Sequence, residues 1–486
     1  MCKSIVNAVL DNGLRNKDKL AVADVNQMLT YGELTDAIKK AASYMTEIGI
    51  SYDDKILVEC TQDIRFIVLD LACEYIGAVF VPFEKDAVLS RVSDIYAETA
   101  ATCIIGCDSY SEVGRWYDID TVWSEAFSKA DEASVVQKEN EVAEILFSTG
   151  TTGMPKGIVI SNKANVAIAQ NIADGVKMSE DTIELIPLPL SHSHGLRTCY
   201  ANLLNCSAVV LIDGVKNIKL FFDVIEKYSV NAIDISPTVA ALLLKIAKRG
   251  LKKIADSIDY VEIGTAALND TVKEGLKDIF TQTRLYNFYG ATEAGRSCVL
   301  EFGENDDTGC IGKPSVNASI QIVDDNRNVI NSCKDNVGLI AVSGEMMMEG
   351  YLNAPELTQN TLDDGILYTN DIGYINENGY VYVIGRQGDV INYKGIKIAP
   401  EEIEAVVMKY QGIRDCACVP EKDEICGQVP KLFIEMDEGA SIDVNTMREY
   451  IRTKLEESRV PKNIVIIDKI PRSLNGKILR KELRNE

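Results

Sequence analysis

The chain has 486 residues, 46% hydrophobic and 25% charged, with a formal net charge of −23. This length exceeds what one hydrophobic core organises, so two or more domains are expected. The acidity excludes a general nucleic-acid binder, which needs a basic face, and requires any site for an anionic nucleotide to be made locally positive. The thirteen cysteines include no Cys-x-x-Cys pair and the histidines are only two, His192 and His194, which argues against structural zinc and for a reducing, cytoplasmic setting. The most apolar run, Tyr75–Phe83, is far short of the ~18 residues of a membrane span.

In chain order, residues 30–49 space apolar side chains by three and four and predict a helix stopped by Gly49. Lys55–Cys60 reads as a strand, Phe66–Gly77 as a helix, Ala78–Pro82 as a strand, and Glu144–Phe147 as another. Asn231–Ile235 is a strand, after which Ser236 caps and Pro237 opens a helix through Arg249. The pattern repeats with a strand Val261–Gly264, a helix from Asn269 to about Phe280 and a strand Leu285–Tyr289. Such alternation predicts a largely parallel sheet covered on both faces. After about residue 300 come short strands with turn signals, at Val323–Val329 and as a hairpin over Tyr374–Ile384. From about Gly388 a compact α+β unit follows: a helix from Pro400, strands near Cys416–Val419 and Lys431–Met436, a helix near Val444–Glu456, and a basic tail. The expected domains are 1–387, with a β subdomain at about 300–387, and 388–486.

The densest chemical signal is Ser148, Thr149, Gly150, Thr151, Thr152, Gly153, Met154, Pro155, Lys156 and Gly157. Glycines admit phosphate close to the backbone, hydroxyls donate to its oxygens and a lysine supplies a point charge. The Gly-x4-Gly-Lys-Ser/Thr spacing is absent, so this is not a Walker A loop. The tract resembles the phosphate loop of the adenylate-forming superfamily: acyl- and aryl-CoA synthetases, firefly luciferase and nonribosomal peptide adenylation domains. Further motifs follow in order over nearly the whole chain.

The resemblance implies an α/β fold: two layered α/β subdomains, a small β-barrel-like subdomain and a small mobile α+β C-terminal lid. It implies ATP, Mg2+ and coenzyme A as cofactors, with a carboxylic acid as substrate. In Tyr289-Gly290-Ala291-Thr292-Glu293 it places Tyr289 and Gly290 beside the adenine, Thr292 on the α-phosphate and Glu293 on Mg2+, a hard cation that prefers oxygen ligands. Gly264, Thr265, Ala266 and Ala267 resemble the small-residue loop along the adenine and acyl pocket. Asp371 takes the ribose hydroxyls, with Arg386 assisting. The hinge falls at Asp389, in Gln387–Gly395, where Gly388 and Asn392 depart from residues common in the family; Lys394 and Gly395 face the thiol acceptor after rotation. The tail Pro471–Lys477 resembles the terminal loop whose lysine, here Lys477, enters the adenylation site and stabilises charge developing on the α-phosphate.

His192 matches the histidine at the carboxylate end of the acyl pocket in acyl- and aryl-CoA ligases. Amino-acid-activating relatives carry an aspartate there, which disfavours α-amino acids. By analogy Ser193, His194, Thr198, Thr265, Ala266 and Arg296 line the pocket, a polar set that implies a small or polar acid. Arg296 either faces a second anionic group of that acid or turns to the surface. The implied activity is acyl-AMP formation with release of pyrophosphate, then thioester formation with coenzyme A. Two alternatives stay open: transfer to the phosphopantetheine thiol of a separate acyl carrier protein, and an inactive nucleotide-binding scaffold. The sequence leaves the oligomeric state open.

Overall fold

A computed structural model of the protein describes residues 3–128, 137–148, 156–266, 268, 270–394, 396–423, 425–472 and 478–484. The expected alternation produces two stacked sheets with helices between and around them. The larger, of 14 strands, has a parallel half in which Leu20–Ala23, Ala208–Leu211, Ile183–Ile186, Ala232–Ile235, Tyr260–Ile263 and Arg284–Ala291 lie side by side. At Gly295–Glu301 the pairing turns antiparallel. The second sheet, of 7 strands, carries Lys55–Glu59, Val79–Phe83 and Cys103–Gly106 in parallel, then Val142–Ser148 paired with Lys156–Ser161 across the phosphate-loop tract.

Local signals account for the element ends. The helix Tyr31–Glu47 begins in a reciprocal cap between Thr30 and Glu33. Ile64–Ile76 is buried almost all round, as a helix between two layers must be, and ends at Gly77. The main core lies between the sheets: Ile56, Val58, Phe80 and Leu146 from the smaller one meet the same apolar cluster as Val22, Ile186, Val209 and Leu211 from the larger.

Two expectations need correction. The strands after residue 300 do not close into a barrel. Cys310–Pro314 pairs with both Gly295–Glu301 and Val381–Arg386, so this segment extends the large sheet through Ile366–Ile375 and Gly338–Gly344 to an edge at Ala318–Val323. The helix from Pro237 stops at Ile246, and a separate one runs over Lys248–Ile254, because Ala247 between them leaves helical geometry at φ −127°.

Beyond Asp389 a 5-stranded sheet, with the helices Pro400–Val407 and Val444–Arg452, surrounds a core of its own that includes Ile391, Ile403, Cys418, Leu432 and Ile451.

Candidate active site

The carboxyl ends of parallel strands in an open α/β sheet collect the backbone groups and side chains that meet ligands. Here the end of Arg284–Ala291 carries Tyr289, Gly290 and, just beyond, Thr292 and Glu293. The hairpin into Gly295–Glu301 is bulged between Tyr289 and Gly290. A Cβ on Gly290 would lie 1.9 Å from the Gly295 carbonyl oxygen, so no larger residue fits that turn.

Side chains far apart in sequence converge there. The Tyr289 hydroxyl donates to Asp371 Oδ2 at 2.6 Å, and Arg386 Nε lies 3.4 Å from Asp371 Oδ1. Burial, then the neighbouring Asp371 charge, pushes the Tyr289 pKa up, so the phenol stays a donor. The Tyr351 hydroxyl donates to Glu293 Oε1 at 2.9 Å, while the Lys156 ammonium sits 5.5 Å from the centre of the Tyr351 ring. Gly350–Tyr351 pairs with Lys156–Ser161, so the strand leaving the phosphate-loop tract is anchored beside Glu293. Glu293 is a half-buried carboxylate with one oxygen engaged, a donor that fits Mg2+.

The expected acyl-side residues gather on the helix Ser193–Leu204, which His192 precedes at the cap position. Gln62 braces the entering loop: its amide nitrogen donates to the Leu188 carbonyl at 2.8 Å and its oxygen accepts from the Leu190 N–H at 2.9 Å. Burial lowers the His192 pKa, against the pull of nearby Glu84. That favours the neutral ring. Two residues on, His194 lies against Gly264, where a Cβ would come within 2.3 Å of its ring, so a larger residue there would displace the imidazole. Thr265 follows at φ +78°, a strained setting for a β-branched residue, and Ala266 is half-buried.

Behind His194 lies a buried polar network. His194 Nε2 is 2.7 Å from Asp234 Oδ1; the Thr198 hydroxyl is 2.8 Å from both Asp234 Oδ2 and Glu262 Oε1. Arg296 donates to Glu262 at 2.5 Å and to Thr198 at 2.5 Å, and its guanidinium stacks 4.6 Å from the centre of Phe288. Arg296 therefore takes neither expected position. It is 5% exposed and held by protein carboxylates, turned neither to the surface nor to an open anion site. Burial works against its charge, but Glu262 and Asp234 outweigh that and raise its pKa. Burial also raises the pKa of Glu262 and, helped by Glu262 and Asp234, that of Glu184. His194, Asp234 and Glu262 are spaced as a metal's ligands would be, yet the guanidinium already supplies the positive charge among them.

Thr149, Gly150, Thr151, Thr152, Gly153, Ala267, Gly395 and Lys477 lie outside the described residues. Ser148 ends the strand Val142–Ser148, Ser193 opens the helix that carries His194 and Thr198, and Lys394 is exposed at φ +50°. Asp389 is paired with Arg484, whose guanidinium also donates to the Gly388 carbonyl at 2.5 Å. Sequence reasoning overlooked Gln62, Glu144, Arg197, Asp234 and Glu262. For the acids a signal existed: VAEILF, AIDI and YVEI each set one carboxylate inside a short apolar strand, a place where only a paired acid is stable.

The family model for AMP-binding enzymes matches residues 10–352, and that for the AMP-binding enzyme C-terminal domain matches 402–477. The 4-coumarate–CoA ligase 2 of Nicotiana tabacum is 30% identical over 94% of this chain and 89% of its own length. The 4-coumarate–CoA ligase 1 of Solanum tuberosum is 30% identical over the same shares. Among solved structures, ATP-bound MatB from Rhodopseudomonas palustris superposes with a TM-score of 0.89 at 22% identity, covering 100% of this chain and 99% of that one. The o-succinylbenzoate CoA synthetase of Bacillus subtilis with its acyl-adenylate gives 0.87 at 22% identity, over 99% and 98%. This chain belongs to the AMP-binding enzyme family, in its acyl-CoA ligase branch, and is an AMP-forming acid–thiol ligase that works with ATP and coenzyme A.

Proposed function

We propose that the acid activated is small or polar and that the convergent side chains divide the work as follows. The substrate carboxylate attacks the α-phosphorus of ATP, pyrophosphate leaves, and the acyl-AMP is then cleaved by a thiol with release of AMP. Tyr289 and Gly290 flank the base, Asp371 accepts from the ribose hydroxyls with Arg386 beside it, and Thr292 donates to the α-phosphate. Glu293 would hold Mg2+, which supplies charge neutralisation on the phosphates. Lys156, with the hydroxyls and glycines of 148–153, makes an acidic protein locally positive where the phosphates sit. Neutral His192 stands at the carboxylate end of the acyl pocket, and Lys477 supplies the last positive charge in the first step. Little covalent catalysis is asked of the protein; it positions and stabilises charge.

The observation that carries this reading is the convergence of four separate tracts. Lys156, Tyr351, Glu293, Tyr289 and Asp371 meet around one strand end through a cation–ring contact and two side-chain hydrogen bonds. The relatives carry names for different acids, so the acid is inferred from this chain's own side chains, of which Ser193, His194 and Thr198 are polar. The separate core beyond Ile391 and the two matched intervals support a boundary at 387/388, with rotation about Asp389 between the two half-reactions. The twelve described cysteines are all free, which supports a cytoplasmic site of action. Among the described residues no helix is long and apolar enough to cross a membrane.

The test is Lys477→Ala. Acyl-AMP formation should fall ~10²–10³-fold while ATP binding changes little. An unchanged adenylation rate would remove Lys477 from the mechanism.

A further inference from the structure

We infer that the acyl group accepted here carries a neutral hydrogen-bond donor, a hydroxyl or an amide N–H, directed at His194, and no second carboxylate. The inference rests on the acyl-pocket placement proposed above and follows from the hydrogen bonding behind the imidazole. His194 Nε2 is 2.7 Å from Asp234 Oδ1 and 3.2 Å from the Arg296 Nη2. An ionised carboxylate only accepts, so the shorter contact puts the proton on Nε2. Nδ1 is then a lone pair, and among the described residues no hydrogen bond reaches it. The imidazole is also where the network surfaces: its side chain is 14% exposed, against 0% for Asp234 and Glu262.

Among the described residues no exposed donor of the network is left to receive an anion; Arg296 Nε lacks a partner but is buried. The two terminal nitrogens of Arg296 are directed at Glu262 and Thr198. Thr198 has one hydroxyl proton for two carboxylate oxygens at 2.8 Å, so this wall is already short of donors. Asp234, Glu262 and Glu184 together face a single guanidinium. A second substrate carboxylate would meet a lone pair backed by three acids. A methyl or methoxy group would leave Nδ1 unpaired once water is expelled, the condition under which a polar site rejects an apolar isostere.

The experiment measures acid-dependent pyrophosphate release for acids of one carbon skeleton ending in hydroxyl, methoxy, methyl or carboxylate. The hydroxy acid should lead each of the others by about tenfold or more in kcat/KM. In Asp234→Asn the side-chain amide can donate to Nε2, which moves the ring proton to Nδ1, so preference should shift toward the methoxy and carboxylate acids. In His194→Phe the four acids should fall within about threefold of one another. A wild-type preference for the methyl or carboxylate acid, or a hydroxyl preference that survives in His194→Phe or is unmoved in Asp234→Asn, overturns the inference. Failure of the underlying site reading has a different signature: pyrophosphate release that no acid stimulates, or that Lys477→Ala leaves unchanged.

Discussion

The two faces of the helix Ser193–Leu204 meet two different buried polar clusters. Arg197 and Tyr200, three residues apart, turn to the smaller sheet. Arg197 pairs with Glu144 in the strand that leads to the phosphate-loop tract, and the Tyr200 hydroxyl donates to Asp70 at 2.7 Å and lies 3.2 Å from Glu144. His194, Thr198 and Asn202, each four residues from the next, turn to the larger sheet and meet Asp234, Glu262 and Glu184. Helical periodicity alone separates the sets. The first cluster is sealed and ties the helix Ser193–Leu204 to the strand Val142–Ser148; the second reaches the open side through His194. Burying charge is costly in both, but only the second has an edge where a ligand could contribute. The lesson is that similar polar chemistry can be structural or selective according to whether one member is left exposed.

The sharpest way to break this comparison is Arg197→Met, which strands Glu144 as an unpaired buried charge. It should cost about 3–5 kcal/mol in urea unfolding, and adding Glu144→Gln should restore most of that. A loss under about 1 kcal/mol would mean the face is not sealed.

Glu74 lies on the same side, where it accepts the Val6 N–H at 3.2 Å, and burial pushes its pKa up to about 7. In the unfolded chain this carboxyl ionises near 4.5, whereas the folded protein holds its proton until about 7. The folded state therefore binds more protons between those values, and stability should fall by about 1–3 kcal/mol as pH rises through them. Glu74→Gln should flatten that slope in thermal melts at a series of pH values.

On the open face, Thr198→Val removes the hydroxyl shared by Asp234 and Glu262. The expected cost is about 1–2 kcal/mol of stability, with KM for the acid raised severalfold and KM for ATP unchanged. A rise in both KM values would show that the two faces are not separable. The smallest effect belongs to a pair on neither face: Arg484→Ala, which frees Asp389, should change stability by less than about 1 kcal/mol because the pair is partly exposed.

The candidate nucleotide stretches were legible without coordinates, as patterns of a few contiguous residues. The phosphate-loop tract, the turn after Tyr289 and the acid at 371 are local devices, and local devices leave local patterns. Element positions were legible for the same reason: Ser236 and Pro237 do open a helix, and Tyr374 does pair with Tyr382 in the expected hairpin. Arg296 shows where such reading stops. Analogy with the family named it as a candidate pocket residue, but whether it met a substrate, water or a protein acid depended on strands more than thirty residues away.

The sequence by itself determined the alternation of strands and helices, the order of the nucleotide motifs and the chemistry class they imply, because each is written in neighbouring residues. Only the tertiary structure decided that the late β segment extends a sheet instead of closing a barrel, that Arg296 is spent on Glu262 and Thr198, and that His194 is backed by Asp234. Those outcomes turn on the pairing of buried charges across long separations. A single carboxylate in an apolar strand announces that it needs a partner, and packing alone selects which one it gets.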